Sequence, residues 1–235
     1  MTAAPVNRLS LAVVVIGSFG LLGIAIAAAQ TSPQGDPNRG AVVAAQGVPK
    51  AGVPACAQCH AYTGSSDGSG AFPRLAGQSA YYLGKELADY AGGVRSNAIM
   101  TPIAKGLGAT ERADVAAYYA EVKGPFLPLA DVSSALFKRG EQLAKVGDES
   151  KGLQSCDNCH GPGGAGQPPA IPYLAGQYGP YIAMQLRMWQ RGYRRNSDDA
   201  MAYIAKRLSD GDIDAVAAYF QQVRRADQLA QDSRK

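Results

Sequence analysis

Cys56-Ala57-Gln58-Cys59-His60 and, 100 positions later, Cys156-Asp157-Asn158-Cys159-His160 contain every cysteine and both histidines of this 235-residue chain. CxxCH is the attachment sequence of a c-type haem: the two thiols add across the vinyl groups as thioethers and the adjacent histidine reaches the iron. A CxxC also serves as a redox disulfide or as half of a zinc site. Structural zinc, however, wants four Cys or His ligands in a tetrahedron, and a histidine directly after its cysteine is poorly placed to share one ion with it. A disulfide pair has no need of a following histidine, twice. Two covalently bound haem c groups are therefore expected.

The motifs sit in a duplication, and a repeat fixes architecture before any local reading. Arg39-Gly40 returns as Arg139-Gly140 and Gly47 as Gly147. After the motifs the offset becomes 99, so that Leu75-Ala76-Gly77-Gln78 returns as Leu174-Ala175-Gly176-Gln177, Tyr82 as Tyr181, Arg95 as Arg194 and Asn97 as Asn196. A two-residue insertion moves it to 101, pairing Met100 with Met201 and Tyr118 with Tyr219. Two domains follow, at 36–123 and 133–227, joined by a linker at 124–132 whose Gly124-Pro125-Phe126-Leu127-Pro128 stops the preceding helix and stiffens the connection.

Residues 1–29 read as an export segment. Arg8 precedes an apolar run from Leu11 to Ala29 that closes on Ala27-Ala28-Ala29, a small-residue cleavage site. Cleavage is preferred, although the run from 11 to 29 nears bilayer-spanning length and an uncleaved membrane tether is the alternative. In a Gram-negative source the folded part is periplasmic. Charge is close to balanced, with 23 basic and 19 acidic residues, and haem propionates would offset the surplus, so nucleic acid is not an expected partner. The cluster Arg187, Arg191, Arg194 and Arg195 reads as a solvated helix face.

Each unit is mainly helical by pattern. Helices are expected over 38–46, 78–90 and 110–122, and again over 134–145, 178–190 and 209–223, with Asn38 or Ser134 near the caps. The Gly-, Pro- and Ser-rich stretches 63–70 and 161–172 read as loops, and no stretch alternates with period two. Units of this size with so much loop bury little apolar surface unaided, so a haem is expected to complete each core.

The iron needs a second axial ligand, and methionine opposite histidine favours electron transfer. Both histidines are already used. Met100 and Met201 occupy equivalent positions ahead of the last helix of each unit and are the candidate ligands. Met184 and Met188 lack methionine partners in the first unit and are expected to pack in the core. Pro73 and Pro172 stand 13 and 12 residues after the histidines and read either as loop punctuation or as the source of a backbone carbonyl that would fix each imidazole. Arg74, replaced by Tyr173 in the repeat, is read as a propionate holder or an exposed side chain.

Together these residues resemble the dihaem cytochromes c4: tandem class I cytochrome c domains with an early CxxCH, a Pro-x-Leu-Ala-Gly-Gln segment, an Asn before the axial Met, and a last helix carrying Ala-Ala-Tyr. Here these are Pro73 to Gln78, Asn97, Met100 and Ala116-Ala117-Tyr118, then Pro172 to Gln177, Asn196, Met201 and Ala217-Ala218-Tyr219. The resemblance implies an all-α fold, two small helical domains each wrapped around a covalently attached haem. The first and last helices of each would cross at a glycine against an aromatic: Gly40 with Tyr118 or Tyr119, Gly140 with Tyr219 or Phe220. The expected site is Cys56, Cys59, His60 and Met100 for one haem, and Cys156, Cys159, His160 and Met201 for the other, with iron held by His60/Met100 and His160/Met201.

The implied function is single-electron transfer between redox partners, from a quinol-oxidising complex to a terminal oxidase. The alternative is a cytochrome subunit of a periplasmic dehydrogenase. The chain is expected to be a carrier rather than an enzyme: a dihaem peroxidase would need an open iron position and distal acid/base groups, and no spare histidine exists. Two departures stand out. The Asn-to-Met spacing is 3 in the first unit and 5 in the second, and 47–55 forms a Pro- and Gly-rich approach to the first motif.

Overall fold

Gly40 and Gly140 are the points on which each half is built. In a computed structural model, which describes residues 34–127 and 131–224, helix α1 (Pro37–Gln46) crosses a later helix at Gly40. A β-carbon there would run into the Asp114 carbonyl and lie 2.8 Å from Tyr118 Cβ. Gly140 meets the Ala215 carbonyl and Tyr219 Cβ, at 2.7 Å, in the same way. The aromatics of the crossings are thus Tyr118 and Tyr219, and only glycine lets the backbones approach so closely.

Among the described residues the first half continues through α2 (Ala57–His60), α3 (Ala80–Gly92), α4 (Met100–Gly106) and α5 (Ala109–Glu121). The second repeats this order as α6 (Ser134–Lys145), α7 (Asp157–His160), α8 (Gly179–Gln190), α9 (Ala200–Ala205) and α10 (Asp210–Gln222). The helical class is as expected. Helix α1 starts earlier than Asn38, because Asp36 accepts from the Asn38 and Arg39 amides and Pro37 needs no donor partner at the first turn. At the head of α10, Ser209 and Asp212 cap reciprocally.

Each half has its own apolar core. Val43, Leu83, Leu107, Val115 and Tyr119 fill the first; Leu143, Leu186, Leu208, Ile213 and Phe220 fill the second. Between α6 and α7 a short hairpin, β1 (Gly147–Asp148) and β2 (Leu153–Gln154), pairs Asp148 with Leu153. Val48 and Val53 make the equivalent bridge in the first half. The approach at 47–55 is therefore folded as the counterpart of that hairpin.

The halves meet across a buried polar seam. Arg95 and Arg194 pair as an antiparallel bridge. Their guanidinium groups reach Glu86 at 2.5 Å and 2.8 Å and both donate to Gln185 Oε1, at 2.7 Å and 2.8 Å. Arg194, expected on a solvated face, is instead 3% exposed, because the repeat that places Arg95 in the seam places it there too. Only Arg191 and Arg195 of that cluster are exposed, while Arg187 pairs with Asp210 and Asp214.

Arg74 is not exposed, and its two terminal nitrogens are engaged within the chain. Those donate to the carbonyls of Gly124 and Pro125, at 2.6 Å and 2.5 Å, and the guanidinium stacks 4.0 Å over Phe126. It anchors the chain as it leaves α5. The export segment 1–29 lies outside the described residues, as do 128–130 of the linker and 225–227 of the second domain.

Candidate haem-binding sites

A single helical turn brings each CxxCH motif together. Cys56 O accepts from the amides of Cys59 and His60, at 3.2 Å and 2.9 Å, and Cys156 O does the same for Cys159 and His160 at the same distances. Positions i, i+3 and i+4 share a helix face, so two sulfurs and an imidazole are presented together. The turn ends at once: the next residue has positive φ, 56° at Ala61 and 73° at Gly161, and redirects the chain into the loop.

Cys56 and Cys156 face inward against their cores, their sulfurs 3.9 Å and 3.7 Å from the carbonyls of Val43 and Leu143. Burial pushes these thiols up, to about 11 for Cys56 and about 12 for Cys156. Among the described residues no three His, Cys, Asp or Glu side chains form a cluster able to hold an ion by themselves.

Of the two readings of the prolines, the carbonyl one holds for both histidines. His60 Nδ1 lies 3.2 Å from the Pro73 carbonyl, and His160 Nδ1 lies 2.8 Å from that of Pro172. A carbonyl only accepts, so Nδ1 carries the proton and Nε2 keeps the lone pair for a metal. Burial holds both imidazoles below the ordinary histidine range, outweighing the proline carbonyls, a shift that favours the neutral form able to ligate.

Met100 opens α4 and Met201 lies in the first turn of α9, both partly buried; Met201 packs against the core of its half. The sequence placed them only in a segment before the last helix; short helices carry both. The two extra residues of the second unit are absorbed at Asp198 and Asp199, which take positive φ of 45° and 64°. Met184 departs from its expected core role: it is 39% exposed, and with Met188 it lines an open groove of ≈ 560 Å³ beside Pro180 and Tyr193. Its position on the outer face of α8 was not legible from composition.

Whether the residues suit a haem can be tested on donors left over. Among the described residues, the buried Nε of Arg74, Nε of Arg95 and Nε1 of Trp189 have no hydrogen-bond partner. Arg95 stacks 4.5 Å over Tyr90 and Arg194 stacks 4.0 Å over Trp189, and positions 90 and 189 are equivalent in the repeat. The seam thus offers unpaired donors and two guanidinium groups that share one carboxylate partner, Glu86. Buried donors call for acceptors, and propionates are acceptors of matching charge. The residues fit the group.

Comparison with known proteins agrees. A family model described as cytochrome c matches residues 39–123, and one described as cytochrome c oxidase, cbb3-type, subunit III matches residues 150–220. A thiosulfate dehydrogenase electron acceptor from Stutzerimonas stutzeri is 38% identical over 84% of this chain and 92% of its own. Cytochrome c4 from Pseudomonas aeruginosa is 37% identical over 87% and 94%. Among solved structures, reduced cytochrome c4 from Pseudomonas stutzeri superposes with a TM-score of 0.70 at 33% identity, covering 81% of this chain and 100% of that one. A thiosulfate dehydrogenase from Marichromatium purpuratum gives 0.74 at 35% identity over 80% of this chain, which spans only 40% of that protein.

Proposed function

Because the chain belongs to the dihaem cytochrome c4 family, with two cytochrome c domains and two covalently bound haem c groups, we propose that it relays single electrons between periplasmic redox partners, each iron held between a histidine and a methionine. The observation that carries this reading is the pair of imidazoles, each on the same turn as its cysteines and with Nδ1 engaged by a proline carbonyl from the loop that follows. A bound haem supplies a one-electron ferric/ferrous couple.

The protein's own part is to hold the couple still. Cys56, Cys59 and His60 would hold one group, and Cys156, Cys159 and His160 the other. Met100 and Met201 are the proposed second ligands; together with the histidines they would complete each iron's ligand set, so that the group would supply electron exchange rather than bond chemistry. Trp189 Nε1 and Arg95 Nε would take propionates. The proposed division is 36–123 and 133–227 about the linker 124–132, after export directed by residues 1–29. Among the described residues no helix is long and apolar enough to cross a membrane.

For partners, the first reading is a quinol-oxidising complex as donor and a terminal oxidase as acceptor. A second is favoured by the similarity to thiosulfate dehydrogenase electron acceptors: this chain would then take electrons from a periplasmic dehydrogenase. Stopped-flow reduction of the purified dihaem protein by each donor separates the two. Ligation is tested optically: the oxidised protein should show a sulfur-ligation band at about 695 nm, and Met100→Ala and Met201→Ala should each remove half of it. Unchanged spectra would refute the methionine assignment.

A further inference from the structure

Gln78 and Gln177, from the repeated Leu-Ala-Gly-Gln segment, each reach across the seam to the opposite half. Gln177 Oε1 accepts from the Arg74 amide at 2.9 Å, and its Nε2 donates to the Arg74 carbonyl at 2.9 Å. Gln78 treats Tyr173 in the same way, at 3.3 Å and 3.2 Å. Both side chains are buried.

The Arg74 amide belongs to the same peptide unit as the Pro73 carbonyl, and that carbonyl receives His60 Nδ1–H. One planar peptide therefore accepts from a histidine at its oxygen and donates to a glutamine of the other half at its nitrogen. The Pro172–Tyr173 peptide stands between His160 and Gln78 in the mirror arrangement. A peptide that donates through N–H is polarised and becomes a better acceptor at C=O, since hydrogen bonds in series strengthen one another in a dry interior. The partner of a ligating histidine's second nitrogen sets its basicity toward the metal.

We infer that Gln177 is a positioning residue for His60, and Gln78 for His160, each acting across the seam through a single proline-linked peptide on the iron site of the other half. The inference rests on the dihaem reading. The glutamine polarises the carbonyl, the carbonyl draws the Nδ1 proton, and the imidazole becomes a stronger donor that favours the oxidised iron. Removing the glutamine amide raises the potential of the opposite site and leaves that of its own half in place.

The chain has only two histidines, so ¹⁵N-histidine labelling of the reduced dihaem protein gives two Nδ1–H signals, assigned through neighbouring backbone resonances. In Gln177→Leu the His60 proton should move to lower chemical shift, the His160 proton should stay, and one of the two midpoint potentials should rise. Gln78→Leu should exchange the roles. If Gln177→Leu does not yield a two-haem protein, Gln177→Asn decides, since it withdraws the amide by one methylene at unchanged charge and should act in the same direction. A stationary His60 signal in the variant that assembles, or an equal movement of His160, overturns the inference. Unmutated protein carrying fewer than two haem masses would overturn the dihaem reading instead.

Discussion

Asn97 and Asn196 hold the same place in the repeat and bond to different parts of the molecule. Asn97 Oδ1 accepts from the amides of Ile99 and Met100, both at 2.9 Å. Asn196 turns into the seam, donating to Glu86 at 3.0 Å and Asp89 at 2.7 Å and accepting from Arg194 Nε at 2.9 Å, while Ser197 takes over the Met201 amide at 3.3 Å. The longer Asn-to-Met spacing is what frees it. Asn97→Ala should loosen the Met100 turn, at about 1 kcal/mol per lost bond, and weaken the first site's share of the sulfur-ligation band. Asn196→Ala should leave that band intact and lower the thermal unfolding midpoint of the whole protein.

Glu86 is the shared counter-charge of two buried arginines. Burial would raise its carboxyl, but Arg194 and Arg95 outweigh that and keep it below the usual carboxylate range. Removing one member of a buried ion network leaves charge uncompensated, at a cost of about 3–5 kcal/mol. Glu86→Leu should therefore destabilise the protein strongly in urea titrations. Lys85→Ala removes only a more exposed partner of Asp89, and its effect should fall below about 1 kcal/mol.

Gly140→Ala should cost about 1–3 kcal/mol by overpacking, because its β-carbon meets the Ala215 carbonyl and Tyr219 of α10. Gly84, inside α3, is the control. A β-carbon there touches only Ala116 Cβ at 3.8 Å, so Gly84→Ala should stabilise by about 0.5–1 kcal/mol through helix propensity. Paired thermal melts of the two holoproteins check both signs.

Much of each haem site could be read from the chain because its geometry is local. Cys, Cys and His at i, i+3 and i+4 need only one helical turn, and the proline carbonyls stand in the loops that follow. The seam was less legible, since its partners are far apart in sequence. Arg74 and Arg194 carry no local sign of burial, and the repetition of Leu-Ala-Gly-Gln does not disclose the cross-half partners of its glutamines. A usable signal did exist. Glu86 faces Gln185 in the repeat while both arginines persist, an imbalance of charge that a solvated surface would not require. The Arg39 and Arg139 carboxylate partners also escape the register: Asp114 serves the first, whereas Asp212, one turn earlier on the matching helix, serves the second.

Asp212 makes the second half the more acid-sensitive in a defined direction. Burial alone would raise its carboxyl, but Lys151, Ser209 and Arg139 bond to it and together hold it far below the ordinary value of 3.8. The folded protein then binds fewer protons at this site than the unfolded chain, so stability from the group is fully present above the unfolded value. It is lost as pH falls through the folded one. Asp212→Asn should lower the urea midpoint at neutral pH and flatten its decline between about pH 5 and pH 2. Both arise from one cause, since the amide keeps the Ser209 cap partner but no longer offers charge to Lys151 and Arg139. A variant that weakens the protein equally at every pH would mean that Asp212 acts through packing alone.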